Sequence, residues 1–221
     1  MVSDLGSSQS AEDKSIPSGQ GRPGRRTPWG PLVILSGPSG VGKTTLVDRL
    51  IGESPLPLRR AVTATTRPPR LGERPEIDYH FWTEDQFQAA IARQEMLEFA
   101  KVHGRDWYGT PRSEVDPYRT QGFGVILVID VQGAEQVRRL YPGDHLSIFL
   151  LPPSFDDLQK RLKQRGESDE SIARRLSTAR VEMTRANEFD YQLINDDITQ
   201  AIGTIEGIIH KQFPQGVNDH V

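Results

Sequence analysis

A three-layer α/β architecture, with a parallel sheet between two layers of helices, is the fold class the sequence predicts. Four short apolar runs, at 31–35, 124–130, 145–151 and 191–194, are rich in branched residues and too short for buried helices, so they read as buried strands. Each is followed by a segment of helical character, and apolar strands alternating with helices form a parallel sheet covered on both faces. Residues 62–112 break the pattern. They are polar, aromatic and rich in arginine, and read as an inserted substrate module.

Residues 1–28 read as a disordered leader of Ser, Gly and Pro with scattered charge, and folded structure is expected from Trp29. The first core segment, 29–61, holds the strand 31–35, which ends in Ser-Gly, and a helix over 44–51. The module at 62–112 holds one helix, 83–93, with sparse apolar residues. The core resumes over 113–154: strand 124–130 leads into a helix at 133–140, and strand 145–151 leads through Pro152 and Pro153 into a helix beginning near Phe155. Residues 155–185 form a separate basic helical segment. The core closes over 186–221, where strand 191–194 meets Asn195-Asp196-Asp197, a good helix N-cap, and a last helix runs to about His210.

Composition excludes several classes. The 221 residues are 35% hydrophobic and 26% charged, with no stretch near the ~20 apolar residues that span a bilayer and no secretory apolar segment at the N-terminus. With no cysteine there is no disulfide framework, thiolate metal site or catalytic thiol, and a cytoplasmic location is the expectation. A net charge of −3 gives no field that attracts polyanions, so no nucleic-acid partner is expected. A phosphate ester must instead be held by local arginines and oriented backbone N–H groups. The five histidines form no catalytic constellation.

One motif is complete. Gly37, Pro38, Ser39, Gly40, Val41, Gly42, Lys43 and Thr44 match G-x-x-x-x-G-K-[ST] after a strand and before a helix, with Thr45 next in line. The glycines let successive N–H groups point at one anion, Lys43 reaches the β- and γ-phosphates, and the Thr44 hydroxyl ligates Mg²⁺. The helix N-terminus adds about half a positive charge behind the phosphates. This P-loop predicts a nucleoside triphosphate. It does not choose among kinases, GTPases, motors and transport ATPases.

Three further clusters bear on that choice. Arg67 and Arg70, stiffened by Pro68 and Pro69, suit a dianionic phosphate, since guanidinium forks bind its oxygens two at a time; Gly72-Glu73 and 78–81 follow. Glu98 precedes Tyr108-Gly109-Thr110. A basic helix at 160–165 is followed by 172–176. Taken alone, the basic helix reads better as a solvated face, and the tyrosines equally as half-buried packing residues.

The stretches GPSGVGKTTL, TATTRPPRLGE, DYHF, EMLEFAKVHG, WYGT, IDVQGA, LPPS, RLKQRG, ESIARRL and INDD make the chain resemble the guanylate kinase family, in order, over about residues 30–210. The resemblance implies a P-loop NTPase core with a GMP-binding module and a helical lid, acting on ATP and GMP with Mg²⁺. It implies that Arg67 and Arg70 clamp the GMP phosphate with Tyr79 and Tyr108. Thr63, Glu98 and Thr110 would read guanine, Asp130 would be the carboxylate near the nucleotide, and Asn195 would lie near the ATP base. Arg161, Arg165 and Arg175 would be the lid arginines. Guanine presents N1–H and N2–H₂ on one edge, and a carboxylate accepts from both; adenine lacks that arrangement. A site built on such bonds discriminates by ~10⁴ or more. Lid arginines spread positive charge over the migrating group, and closure excludes water.

The chain departs from the family pattern at three places. Thr63 stands where serine is common, the segment at 104–108 is one residue longer and brings Trp107 before Tyr108, and Val128 replaces the first of two acids, leaving Asp130 alone. Two other functions compete. A catalytically inactive guanylate-kinase-like binding module loses phosphate-binding residues of the P-loop, yet Gly37, Gly42, Lys43 and Thr44 are all present. A kinase of the same fold acting on AMP, UMP or a ribosyl bisphosphate is disfavoured by Thr63, Glu98 and Thr110 together. A monomer and a homodimer are both compatible with the sequence.

Overall fold

The structure, a computed structural model, describes residues 29–102, 104–164 and 168–212; the expected leader and Arg165 lie outside the described residues. Its elements run β1 (Leu32–Ser36), α1 (Lys43–Glu53), β2 (Leu58–Arg60), β3 (Ala64–Thr65), β4 (His80–Phe81), α2 (Glu84–Ala92), β5 (Met96–Val102), β6 (Asp106–Pro111), α3 (Asp116–Thr120), β7 (Gly124–Val128), α4 (Val131–Leu140), β8 (Leu146–Leu151), α5 (Phe155–Gln164), α6 (Asp169–Thr184), β9 (Tyr191–Ile194) and α7 (Ile198–His210).

All four predicted strands are present and pair in parallel, in the order β2-β7-β1-β8-β9. The fifth, β2, was not expected. Its Leu-Arg-Arg sequence carries no apolar run, and it survives as an edge strand by pairing with β7 alone. The central strands are apolar on both faces because both faces are covered. Val33, Leu35 and Ile148 pack with Leu46, Val47 and Leu50 of α1 and Ile202, Ile205 and Ile209 of α7. Leu32, Ile34, Val125, Leu127 and Phe149 face the other way, against Ala134 and Val137 of α4 and Phe189.

β1 is central and is flanked by β7 and β8, so the chain leaves its carboxyl end where the connections diverge to either side, the place such sheets bind ligands. The register sets Leu35 beside Val128, which puts residues 37–42 next to the turn carrying Asp130.

The module at 62–112 folds as a second sheet, in the order β4-β3-β6-β5, with α2 packed on it. Thr83 caps α2 through a reciprocal capping box with Gln86. Trp107, the unusual residue before Tyr108, belongs to this small core: it stacks on Phe87 at 5.9 Å, and its indole N–H reaches Glu84. Alternation along β6 then turns Tyr108 to the opposite face.

Candidate nucleotide site

β1 ends in buried Ser36, and the chain turns through Gly37, Gly40 and Gly42, all with φ between 91° and 142°. At Gly42 a Cβ would also stand 2.7 Å from Asn195 Nδ2. Gly42 is the N-cap of α1 and offers no capping side chain, and a helix N-terminus of this kind suits an anion. Lys43 folds onto the loop, donating to the carbonyls of Gly37 and Pro38. Thr44 and Thr45 stand on the cavity wall.

The apex of the loop is held from behind. Asn195 Nδ2 donates to the Val41 carbonyl at 2.7 Å; Arg161 donates to that same carbonyl at 2.9 Å and to the Asn195 carbonyl at 3.1 Å. These two residues, expected at the ATP base and on the lid, brace the loop in this structure and do not line the cavity. Arg175, also expected on the lid, does line it, and bonds Ser39 Oγ at 2.9 Å.

Across the same cavity, about 680 Å³ in volume, lie Thr63, Arg67, Arg70, Tyr79, Glu98 and Tyr108. The two halves of the predicted site therefore face one space. Arg67 is nearly buried, and four of its five N–H donors are engaged. Two go to Glu73 at 2.6 Å each, one to the Pro68 carbonyl and one to Tyr108 Oη at 3.0 Å. Burial opposes its charge, but the Glu73 carboxylate and the Tyr108 hydroxyl hold its pKa above the ordinary arginine value. The fork expected to grip a phosphate is thus turned to Glu73, leaving one N–H and a fixed positive charge. Arg70 is exposed, and its guanidinium has no hydrogen-bond partner among the described residues. Tyr79 packs edge-on against Tyr108 at 6.1 Å, and burial raises its pKa.

Glu98 is 4% exposed, and its Oε1 accepts from Thr110 Oγ1 at 2.7 Å, directly across the β5–β6 ladder. Burial pushes the Glu98 carboxyl up to about 7, against the Thr110 bond and with help from the nearby negative Asp130. Asp130 caps α4, its Oδ1 accepting from Gln132 N and Gly133 N at 2.9 Å, and it lines the cavity beside half-buried Val128.

A hydroxyl beside the loop's N–H groups suits a divalent cation that arrives already bound to phosphate oxygens, and Thr44 supplies one. Among the described residues no group of three or more acids or histidines is placed to hold a cation unaided. The donor set fits a metal carried in with the nucleotide.

The guanylate kinase family model matches residues 30–212. The chain belongs to the guanylate kinase family. The guanylate kinase of Synechococcus sp. (strain JA-3-3Ab) is 45% identical over 186 residues, which is 84% of each chain. That of Nostoc sp. (strain PCC 7120 / SAG 25.82 / UTEX 2576) is 47% identical over 178 residues, covering 80% of this chain and 88% of the relative. The crystal structure of guanylate kinase from Anaplasma phagocytophilum superposes with a TM-score of 0.71 at 29% identity, covering 85% of this chain and 88% of that one. The P-loop NTPase core is thus a guanylate kinase fold, and the chain is a nucleoside-monophosphate kinase.

Sequence reasoning missed two acids. Glu73, quoted only within a motif, holds Arg67. Glu182 of α6 lines the cavity near Lys43 and Asp130; burial and Asp130 push it up to about 7, with Lys43 opposing, and its Oε2 is buried without a hydrogen-bond partner. Nothing local marks it, since an acid on a polar helix is ordinary.

Proposed function

We propose that the chain transfers the γ-phosphoryl group of ATP to GMP, and to dGMP, in the presence of Mg²⁺, returning purine monophosphate to the diphosphate pool of the cytoplasm. The observation that carries the reading is that one cavity holds a P-loop on one wall and, on another, two arginines, two tyrosines and a buried carboxylate.

On this reading the α1 N-terminus and Lys43 hold the β- and γ-phosphates of ATP. Thr44 would hold Mg²⁺, which would supply neutralisation of the phosphate charge. Arg70 grips the GMP phosphate with the remaining N–H of Arg67 and the hydroxyls of Tyr79 and Tyr108. Glu98, held by Thr110, accepts from guanine N1–H and N2–H₂, with Thr63 and Asp130 beside it. An oxygen of the GMP phosphate then bonds to the γ-phosphorus as its bond to the β-bridging oxygen breaks, and ADP leaves. Arg175 and Arg165 offset the charge on the migrating group, while Arg161 and Asn195 keep the loop in shape. The same reading divides the chain into a leader at 1–28, core at 29–61, 113–154 and 186–221, a GMP module at 62–112 and a lid at 155–185.

A coupled assay with Mg·ATP and each of GMP, dGMP, AMP, CMP and UMP tests this. Fast turnover of GMP and dGMP alone is expected. Equal rates on AMP would overturn the base reading, and no turnover of any would favour a binding module.

A further inference from the structure

The guanine-reading carboxylate proposed above sits against the first turns of α4, and two residues there bear on where it stands. Gly133 is the third residue of α4 and is buried. A Cβ built on it would lie 2.3 Å from Glu98 Oε2 and 3.0 Å from Glu98 Cδ. Its φ lies outside the left-handed region, so the backbone does not require glycine, and a helix interior disfavours glycine relative to alanine. What uses the missing side chain is Glu98. Three residues on, Gln136 answers the main chain of the neighbouring strand residue. Its Oε1 accepts from Phe99 N at 3.2 Å, and its Nε2 donates to the Phe99 carbonyl at 2.7 Å. A side-chain amide thereby pairs β5 as a strand would, fixing which residue of β5 lies over Gly133.

We propose that Gly133 and Gln136 are positioning residues that set the Glu98 carboxylate for base recognition, Gln136 by fixing the strand and Gly133 by leaving room for Oε2. The inference rests on Glu98 reading guanine. Thr110 Oγ1 meets Oε1, and the bare Cα of Gly133 lies beside Oε2, so the carboxylate is contacted on both oxygens. A methyl at 133 meets the far end of a flexible side chain, not backbone, so it displaces Glu98 and leaves the fold standing.

Steady-state kinetics and thermal melts of Gly133→Ala, Glu98→Ala and the double variant test this, with Gln136→Glu as an independent arm. Gly133→Ala is expected to raise the KM for GMP about tenfold or more, as for a lost bond to a charged group, with the KM for ATP and the Tm near wild type. In the Glu98→Ala background it should change the GMP KM no further. Gln136→Glu keeps the shape, removes the donor to the Phe99 carbonyl, and should raise the GMP KM about fivefold. An unchanged GMP KM in both Gly133→Ala and Gln136→Glu, or an equal effect of Gly133→Ala with and without Glu98, would overturn the positioning role. A wild-type GMP KM in Glu98→Ala would overturn the reading of Glu98 itself, and the inference with it.

Discussion

The donor and acceptor halves of the site recognise anions by opposite means. The donor half is one contiguous loop at the end of a fully buried central strand, and it is built mainly from backbone N–H groups and a helix terminus. The acceptor half gathers side chains from residues 63–110, on strands as short as two residues; Arg67 is paired with Glu73 and Glu98 is buried, while Arg70 stays exposed. A backbone cradle fits any polyphosphate. Side chains fixed by neighbours can select one monophosphate, and on the function proposed above a wrong base would leave Glu98 buried and unanswered.

The contrast breaks most visibly at Lys43. Lys43→Ala is expected to lower kcat by about 10³-fold or more while calorimetry still records GMP binding near wild type. Near-normal turnover would remove the phosphate-loop assignment. On the acceptor side, Arg70→Ala should raise the GMP KM by roughly 10²-fold, from loss of charge-assisted bonds, with little change in Tm because its guanidinium is exposed. Arg67→Ala should affect both KM and Tm, since Arg67 ties Glu73, Pro68 and Tyr108 together. Equal Tm in the two variants would contradict the distinction drawn between them.

A smaller effect is expected with pH. Glu98 must be ionised to accept from guanine, and its carboxyl lies at about 7, so the KM for GMP should fall as pH rises from about 6 to 8. Stability should move the other way. A carboxyl whose folded pKa is raised from 4.5 to about 7 contributes stability that is full below 4.5 and lost as pH rises through about 7; Glu98 and Glu182 both act in this sense. A GMP KM that is flat over this range, while the KM for ATP changes, would misplace the titrating group. The smallest expected effect is at Asp130. Asp130→Ala removes the α4 cap at a cost of about 1 kcal/mol, read as a lowered Tm, with a modest rise in the GMP KM.

The same contrast explains what was legible in the sequence. The core strands could be read because neighbours such as Val33 and Ile34 are apolar on opposite faces, and the P-loop because its meaning lies in eight consecutive residues. β2 escaped notice because Leu58–Arg60 has neither an apolar run nor alternation, and the module sheet because a two-residue strand such as Ala64–Thr65 has no period to detect. Family motifs pointed to Glu98 and Arg67, but not to the engagement of Arg67 by Glu73 or the apposition of Gly133 to Glu98. The first is a pairing of ordinary residues six apart within the module, and the second exists only once the module lies against the core. Arg161 and Asn195 were marked as site residues by their motifs, yet their side chains support the loop from outside the cavity.

Selectivity at Glu98 tests the central claim most directly. The ratio of kcat/KM for GMP to that for AMP should be ~10⁴ or more in the wild type. In Glu98→Gln it should fall by at least tenfold, as one acceptor becomes a donor facing the guanine N–H groups, with the KM for ATP unchanged. A ratio near one in the wild type, or one unaltered in Glu98→Gln, would contradict an acceptor half built to read guanine.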